Sequence, residues 1–563
     1  MTASTAPTAP TAGLNVALTP LRFLERSATV HAERIACVDG PRRITFGQFA
    51  QDALDLARAL RRRGLRAGDR IGMLASNSYE ALLAQFAVPL AGGVLVPINT
   101  RLAPAEVRYI CDHGGIRTLF GEQDLILASR RTLDSAGLIN TYVLIHNADG
   151  SQPQPEHPDS GVVTTIDEYL ASGEWKEGDE DTDASFPFTV DDENAAIAIN
   201  YTSGTTGRPK GVVYTHRGAY LAALGLTATY SFTDDTVYLW TLPMFHCSGW
   251  CSGWACMATS STQVALRAVR GPDIWQLIDD EGVSFLCGAP AVLDTIVGAG
   301  EAHHVDNVTI ATAGAPPSPT TIAACENLGI DVIHVYGLTE TYGPTVSCVA
   351  QADWADLSVD ERARLKARQG LAIVTSEEVR VVEPVEKHAP LDTVLVDVPS
   401  DGKAMGEVVM RGNVVMKEYF HNPDATDEAF TGGWFHSGDL AVKNPDGYIQ
   451  ILDRAKDVVI SGGENISTIE VEQAIISHPA IADVAVIGVP DEKWGEALRA
   501  YVVLASDTDA DVSVEGSVVD HCRAQIAGYK VPRDYQVIEE LPRTSTGKVR
   551  KNVLRDEALS GED

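Results

Sequence analysis

The chain has 563 residues with 45% hydrophobic and 21% charged content, ordinary for a globular protein but too long for one core, since single cores stop growing at about 250–300 residues. Its formal net charge of −33 excludes the basic footprint of a nucleic-acid binder. Any anionic ligand must therefore be held by Lys and Arg gathered locally against the overall field.

Residues 1–13, rich in Ala, Thr and Pro, read as a disordered tail that lacks the apolar run of a signal peptide. Thr45 with Gln48 predicts a capping box, and Phe49, Ala53, Leu56 and Leu60 recur at helical spacing before Gly64. Residues 70–74 read as a strand and 79–88 as the next helix. The longest apolar stretch, 81–98, is interrupted by Gln85, Pro89, Gly92, Gly93 and Pro97, so it is a helix followed by a strand rather than a membrane span. This alternation predicts an α/β layered domain. The acidic run 174–183 reads as a loop between subdomains.

Residues 201–211 read Tyr-Thr-Ser-Gly-Thr-Thr-Gly-Arg-Pro-Lys-Gly, between the apolar runs 195–199 and 212–214. Glycines let backbone N–H groups approach a ligand, and hydroxyls and a lysine add donors and charge, a combination that suits a phosphate chain. Walker spacing is absent and strand-like sequence follows, which sets aside a P-loop NTPase.

Alternation resumes with a helix over 215–226, a strand over 236–242, a helix over 274–281 and a strand over 331–336. That last strand delivers Gly337-Leu338-Thr339-Glu340 at its carboxyl end, where ligand-binding groups favour such folds. His246, Cys247, Cys251 and Cys256 cluster without CxxC spacing, which argues against zinc. An odd total of nine cysteines predicts thiols in a reducing cytoplasm, and no peroxisomal tripeptide stands at Gly561-Glu562-Asp563. Residues 379–416 predict a small β subdomain, and a boundary falls near 453–457. Beyond it come a helix (469–477), strands (483–489 and 500–504), a helix (514–526) and a glycine-bearing tail (544–551). The expected architecture is α/β: a large lobe over 14–455, with two layered subdomains and a small β subdomain, and a smaller α+β lobe over 456–563.

The loop at 201–211 resembles the signature of the adenylate-forming superfamily of acyl-CoA synthetases, peptide-synthetase adenylation domains and luciferases. Further motifs follow in that family's order: Pro243-Met244-Phe245-His246, Gly314-Ala315-Pro316, Tyr336-Gly337-Leu338-Thr339-Glu340, Gly438-Asp439-Leu440, Asp453-Arg454-Ala455-Lys456-Asp457, Gly462-Gly463-Glu464-Asn465 and Arg543-Thr544-Ser545-Thr546-Gly547-Lys548. The resemblance implies two half-reactions in one cleft. A carboxylate attacks the α-phosphate of MgATP, giving an acyl-adenylate and pyrophosphate, and the thiol of coenzyme A then displaces AMP. The small lobe of such enzymes turns between the steps.

Carried onto this chain, the resemblance makes Thr202, Ser203, Gly204, Thr205, Thr206, Gly207 and Lys210 the holders of the β- and γ-phosphates. Thr339 contacts the α-phosphate and Glu340 places Mg²⁺. Tyr336, beside Gly337, stacks on adenine, with Gly314, Ala315 and Pro316 opposite. Asp439 clamps the ribose, Arg454 is a second ribose or phosphate contact, Lys456 is the hinge, and Lys548 is the catalytic lysine of adenylation. Gly462, Gly463 and Glu464 face the pantetheine arm, while Lys530 and Arg533 reach the nucleotide end of coenzyme A. His246, also expected to act in catalysis, joins Trp250, Gly288, Ala289, Tyr342 and Gly343 around the acid. Trp250 is expected one helical turn after His246, on a shared face, limiting the acid to short, medium or compact aromatic types.

The block His246-Cys247-Ser248-Gly249-Trp250-Cys251 resembles a subgroup containing plant acyl-activating enzymes and benzoate- and methylmercaptopropionate-CoA ligases, in which Asn is common where Ser248 stands. A free-standing carboxylate–CoA ligase is the favoured expectation. Transfer to a carrier-protein phosphopantetheine and a catalytically silent nucleotide sensor are the alternatives; the sensor predicts loss of Lys210, Glu340, Asp439 or Lys548, and all are present. No interface is legible, though dimers are common in the family.

Overall fold

The computed structural model describes residues 16–153, 162–172, 188–202, 208–386, 389–454, 457–461, 464–491, 494–505, 514–544 and 548–560. The tail 1–13, the acidic run 174–183, Ser203 to Gly207, Lys456, Gly462 and Gly463 lie outside them, as does the side chain of Glu464. The described chain divides into two compact units: residues 1–200 with 213–236 and 247–267, and residues 201–212 with 237–246 and 268–563.

The first unit is built on a sheet whose parallel strands run Val162–Thr165, Thr141–Leu144, Thr118–Gly121, Arg70–Leu74, Val94–Pro97 and Ala196–Tyr201 in spatial order. The helix Phe46–Arg62 starts at the predicted capping box, Thr45 accepting from the Gln48 N–H while the Gln48 side chain takes the Thr45 N–H. Residues Tyr79–Leu90 form a helix buried on every side, followed by the strand Val94–Pro97, as the interrupted apolar run implied. Among the described residues no helix is long and apolar enough to cross a membrane.

A buried ion cluster, unseen in the sequence, ties this unit together. Arg42 pairs with Asp39 and Glu80, Arg267 with Asp39 and Glu122, and His146 Nδ1 lies 2.6 Å from Glu80 with Nε2 3.1 Å from Asp167. Burial pushes the Glu80 carboxyl up, but hydrogen bonds from His146 and Arg42 outweigh it and hold Glu80 at about 2. The Glu80 hydrogen bond raises the His146 pKa, against the opposing pull of burial. A raised histidine pKa stabilises the fold below the unfolded value of about 6.5, and that contribution fades as pH climbs through the folded value. Replacing His146 by Gln is therefore expected to cost about 1–2 kcal/mol at pH 6. The gap from wild type should narrow with rising pH in urea titrations; a constant gap contradicts the charged pair.

One expectation fails in this unit. Cys247, Ser248, Gly249, Trp250 and Cys251 all have positive φ, from 49° to 62°. The segment is a left-handed turn, not the right-handed helical turn expected between His246 and Trp250. Left-handed backbone costs non-glycine residues about 1–2 kcal/mol each. Asn200 offsets part of that cost: its Oδ1 accepts from the Ser248 N–H at 2.9 Å and from the Ser248 hydroxyl at 3.1 Å, both buried. Asn tolerates this backbone region better than Ser, which gives Asn at this position of the related subgroup a physical reason.

The second unit carries parallel strands in the order Val237–Trp240, Phe285–Gly288, Val308–Thr312 and Ile330–Leu338, extended by the antiparallel strands Gly343–Ser347 and Leu371–Ala372. The small β subdomain reaches past the expected 379–416. Its antiparallel strands are Arg380–Val382, Met405–Met410, Phe435–Lys443 and Ile449–Arg454, the last two being too polar to read as strands locally. A further sheet joins Glu464–Ile466, Val459–Ser461, Gly495–Leu504, Ile481–Asp491 and Asp534–Val537. The helices Thr468–Ile476 and Val514–Arg523 pack Val471, Ile475 and Val518 against Val486, Ala500 and Val502. Residues Lys551–Ser560 form a helix beyond the stretch 544–551 that the sequence reads as a tail.

Candidate active site

The second unit gathers the expected site residues for a topological reason. Its parallel strands point their carboxyl ends the same way, and the segments leaving those ends carry Pro243–His246, Gly288-Ala289, Gly314–Pro316 and Thr339-Glu340. Open parallel sheets bind ligands at that edge. Residues from about 240 to 340 thus converge.

Asp439 is buried, on the strand Phe435–Lys443, cross-strand from Arg454. The Tyr336 hydroxyl donates to its Oδ2 at 2.6 Å, and Arg454 Nε lies 2.8 Å from Oδ1. Each carboxylate oxygen has two acceptor sites, so each keeps one for a hydroxyl of a cis-diol. Burial and the adjacent Asp439 push the Tyr336 phenol pKa well up, so the ring stays neutral. Asp439 also raises the Arg454 pKa, keeping the guanidinium charged.

Lys210 stands near the end of the loop 201–211. The Thr202 N–H donates to the Lys210 carbonyl at 3.0 Å, and the Lys210 N–H to the Thr202 hydroxyl at 3.3 Å. The ends of the loop are therefore held together whatever its interior does. The Lys210 ammonium sits 4.6 Å from the centroid of the Tyr419 ring, and the Tyr419 hydroxyl donates to Glu340 Oε1 at 2.7 Å. One tyrosine thus braces a cation and a carboxylate, leaving Glu340 Oε2 for a metal ion. Nothing in the sequence singled out Tyr419, which follows Val-Met-Lys-Glu without periodic or motif signal. Backbone contacts place it: Phe420 N–H donates to the Gly211 carbonyl and Met416 N–H to that of Glu340, both at 2.7 Å.

Lys548 approaches from a hairpin. The Thr544 N–H donates to the Lys548 carbonyl at 2.7 Å, and the Lys548 N–H to the Thr544 hydroxyl at 3.1 Å. Its side chain lies over Gly314, where a Cβ would come 3.7 Å from Lys548 Cε. Gly314 has φ +97°, which glycine adopts readily. Burial first, and the Lys548 ammonium second, lower the His246 pKa to about 4. His246 is then neutral at pH 7, and the positive charge at this spot belongs to Lys548.

Other expected residues have plainer surroundings. Gly337 lies in a tight antiparallel crossing, where a Cβ would fall 1.9 Å from the Gly343 carbonyl oxygen; only glycine fits there. Thr339 and Glu340 open a short 3-10 turn ended by Tyr342, buried with φ +62°. Gly288 ends its strand, and Ala289 precedes the helix Pro290–Val297. Lys530 is engaged within the small lobe, donating to both Glu470 oxygens at 2.8 and 2.7 Å. Arg533 stands over the Trp494 ring, 5.4 Å from its centroid. Among the described residues no group of three or more His, Cys, Asp or Glu side chains gathers to cage a metal.

The "AMP-binding enzyme" family model matches residues 24–420, and the "AMP-binding enzyme C-terminal domain" matches 470–548. The acetate–CoA ligase CCL3 of Humulus lupulus is 40% identical over 553 residues, spanning 96% of this chain and 95% of that protein. The peroxisomal acetate/butyrate–CoA ligase AAE7 of Arabidopsis thaliana is 38% identical, spanning 96% and 95%. The o-succinylbenzoate CoA synthetase of Bacillus subtilis, solved with its acyl-adenylate, superposes with a TM-score of 0.77 at 26% identity, covering 95% of this chain and 98% of that one. Likeness over nearly the whole length on both sides leaves no room for a borrowed single motif, and the chain belongs to the AMP-binding enzyme family, as an ATP-dependent acid–CoA ligase that works through an acyl-adenylate.

Proposed function

We propose that the acid is a short- to medium-chain carboxylate, with thioether and compact aromatic acids as the alternatives to test. The observation carrying this reading is the near full-length likeness to two ligases whose names specify acetate and acetate or butyrate. We assign acid selection to His246, Trp250, Gly288, Ala289, Tyr342 and Gly343. A panel of linear, branched, thioether and aromatic acids, scored by CoA-dependent AMP release, tests it. Preference for short linear acids supports the reading, and preference for long-chain acids overturns it. Trp250→Ala is expected to shift preference toward longer acids; an unshifted profile removes Trp250 from acid selection. AMP formed without CoA consumption points to a carrier-protein acceptor.

In the first step a carboxylate oxygen bonds to the α-phosphorus and the bond to the bridging oxygen breaks, releasing pyrophosphate. Two anions must meet, so charge neutralisation and positioning are the obstacle. Lys210 and the loop 202–207 hold the β- and γ-phosphates, Thr339 the α-phosphate, and Asp439 with Arg454 the ribose. Tyr336 stacks on adenine, with Gly337 behind it and Gly314, Ala315 and Pro316 on the other side. Lys548 bridges the incoming carboxylate and the α-phosphate. The Glu340 carboxylate fits Mg²⁺, which is usually held by one or two carboxylates plus substrate phosphates. When bound, Mg²⁺ neutralises the phosphates.

In the second step the CoA sulfur bonds to the acyl carbon and AMP leaves. We assign the large lobe to 14–455, the small lobe to 456–563 and the hinge to Lys456. Gly462, Gly463 and Glu464 line the pantetheine path, with Lys530 and Arg533 at the nucleotide end of coenzyme A. The Glu470 pair offsets part of the charge Lys530 can offer. The nine cysteines, free and buried, suit a reducing compartment, and we place the enzyme in the cytoplasm.

A further inference from the structure

The helix Lys551–Ser560 begins three positions after Lys548 and is bolted to its surroundings by its first two turns. Lys551 Nζ donates to the Thr468 hydroxyl at 2.5 Å and lies 2.8 Å from Glu472 Oε1, which also accepts from the Val486 N–H at 2.8 Å. One turn on, Arg555 donates to Asp457 at 2.6 Å. Thr468, fully buried, passes the link onward: its N–H and its hydroxyl both donate to Asp453 Oδ2 at 2.6 Å. The other oxygen of Asp453, itself 1% exposed, accepts from the Arg454 N–H at 2.8 Å. Arg454 in turn holds Asp439 at 2.8 Å.

These contacts form an unbroken chain: Asp439, Arg454, Asp453, Thr468, Lys551 and the hairpin bearing Lys548. None of its middle members reaches the reacting atoms. Thr468 spends its one hydroxyl hydrogen on Asp453 while accepting from Lys551, so its hydroxyl has a single orientation in the network. The geometry matters because adenylation depends on one ammonium lying within reach of two anions, and a 1 Å misplacement costs about 10²-fold.

We propose that Asp453, Thr468, Lys551 and Glu472 are positioning residues that seat Lys548 for adenylation, and that the Asp453–Thr468 link belongs to this lobe orientation alone. The second clause rests on the hinge at Lys456 proposed above: Asp453 precedes that position and Thr468 follows it. The network therefore favours the first half-reaction and has to release before the second. Arg555 with Asp457 lies wholly beyond the hinge and travels with the small lobe.

The test compares Thr468→Val, which keeps shape and removes the hydroxyl, with wild type and Lys548→Ala. Acid-dependent ATP–pyrophosphate exchange reports adenylation, and thioester formation from supplied acyl-adenylate reports the second step. Thr468→Val is expected to lower the exchange kcat by about 10- to 100-fold with the ATP KM little changed, while thioester formation is unchanged or faster. Equal loss in both half-reactions marks a merely structural residue and overturns the proposal, as does no loss in either. Should Thr468→Val fold poorly, Lys551→Met takes its place, with Lys551→Arg expected to recover most of the lost exchange; failure of Arg to recover it also overturns the proposal. Selective loss in Lys548→Ala beside a wild-type Thr468→Val sinks the relay alone. Intact exchange in Lys548→Ala sinks the underlying assignment of Lys548.

Discussion

Lys548→Ala is expected to lower acid-dependent ATP–pyrophosphate exchange by at least about 10²–10³-fold, the usual cost of removing one aimed donor from a developing charge. Thioester formation from supplied acyl-adenylate is expected to stay within a few-fold of wild type. The asymmetry follows from where the charge sits. Lys548 lies against Gly314 in the segment that follows the strand Val308–Thr312. The nearby His246, whose pKa is lowered first by burial, a cause that outlasts the loss of Lys548, does not replace the missing ammonium. Once the adenylate exists, its two anions are already joined and the charge is no longer required. Equal losses in the two half-reactions would refute this division of labour.

Glu340→Gln is the second large effect, expected to slow adenylation by about 10²-fold and to raise the Mg²⁺ concentration needed for half-maximal exchange. Gln keeps the shape and an oxygen for the Tyr419 hydroxyl, now 2.7 Å from Glu340 Oε1, but removes the negative charge a hard cation seeks. Tyr419→Phe separates bracing from binding: it releases Glu340 and leaves Lys210 its aromatic face, so a milder loss is expected. Unchanged Mg²⁺ dependence in Glu340→Gln would show that the carboxylate serves packing instead.

Much of this was legible in order along the chain. Capping at Thr45 and Gln48, the helix after Tyr79 and the strand before Thr339 depend on contacts within a few residues, and they stand where the spacing predicts them. Two stretches of backbone were not legible locally. Trp250 follows His246 through left-handed residues, because the buried carboxamide of Asn200 holds a turn that propensity alone would reject. The helix Lys551–Ser560 was not anticipated, since the residues that hold it, among them Glu472, Thr468, Asp457 and the cluster around Leu554, lie far off in sequence.

The sequence by itself determined the chemistry of this protein. By resemblance, the types and order of its motifs imply a phosphate loop, a carboxylate for Mg²⁺, a ribose clamp and a late lysine, the roles we propose for this chain. Only the tertiary structure decided which of them act on one another. Tyr419 joining Lys210 to Glu340, Tyr336 and Arg454 sharing Asp439, and a buried threonine linking Asp453 to Lys551 are long-range contacts: a cation–ring contact, ion pairs and hydrogen bonds. Such contacts are set by strand order and lobe packing, which bring together residues whose neighbours along the chain carry no trace of the partner.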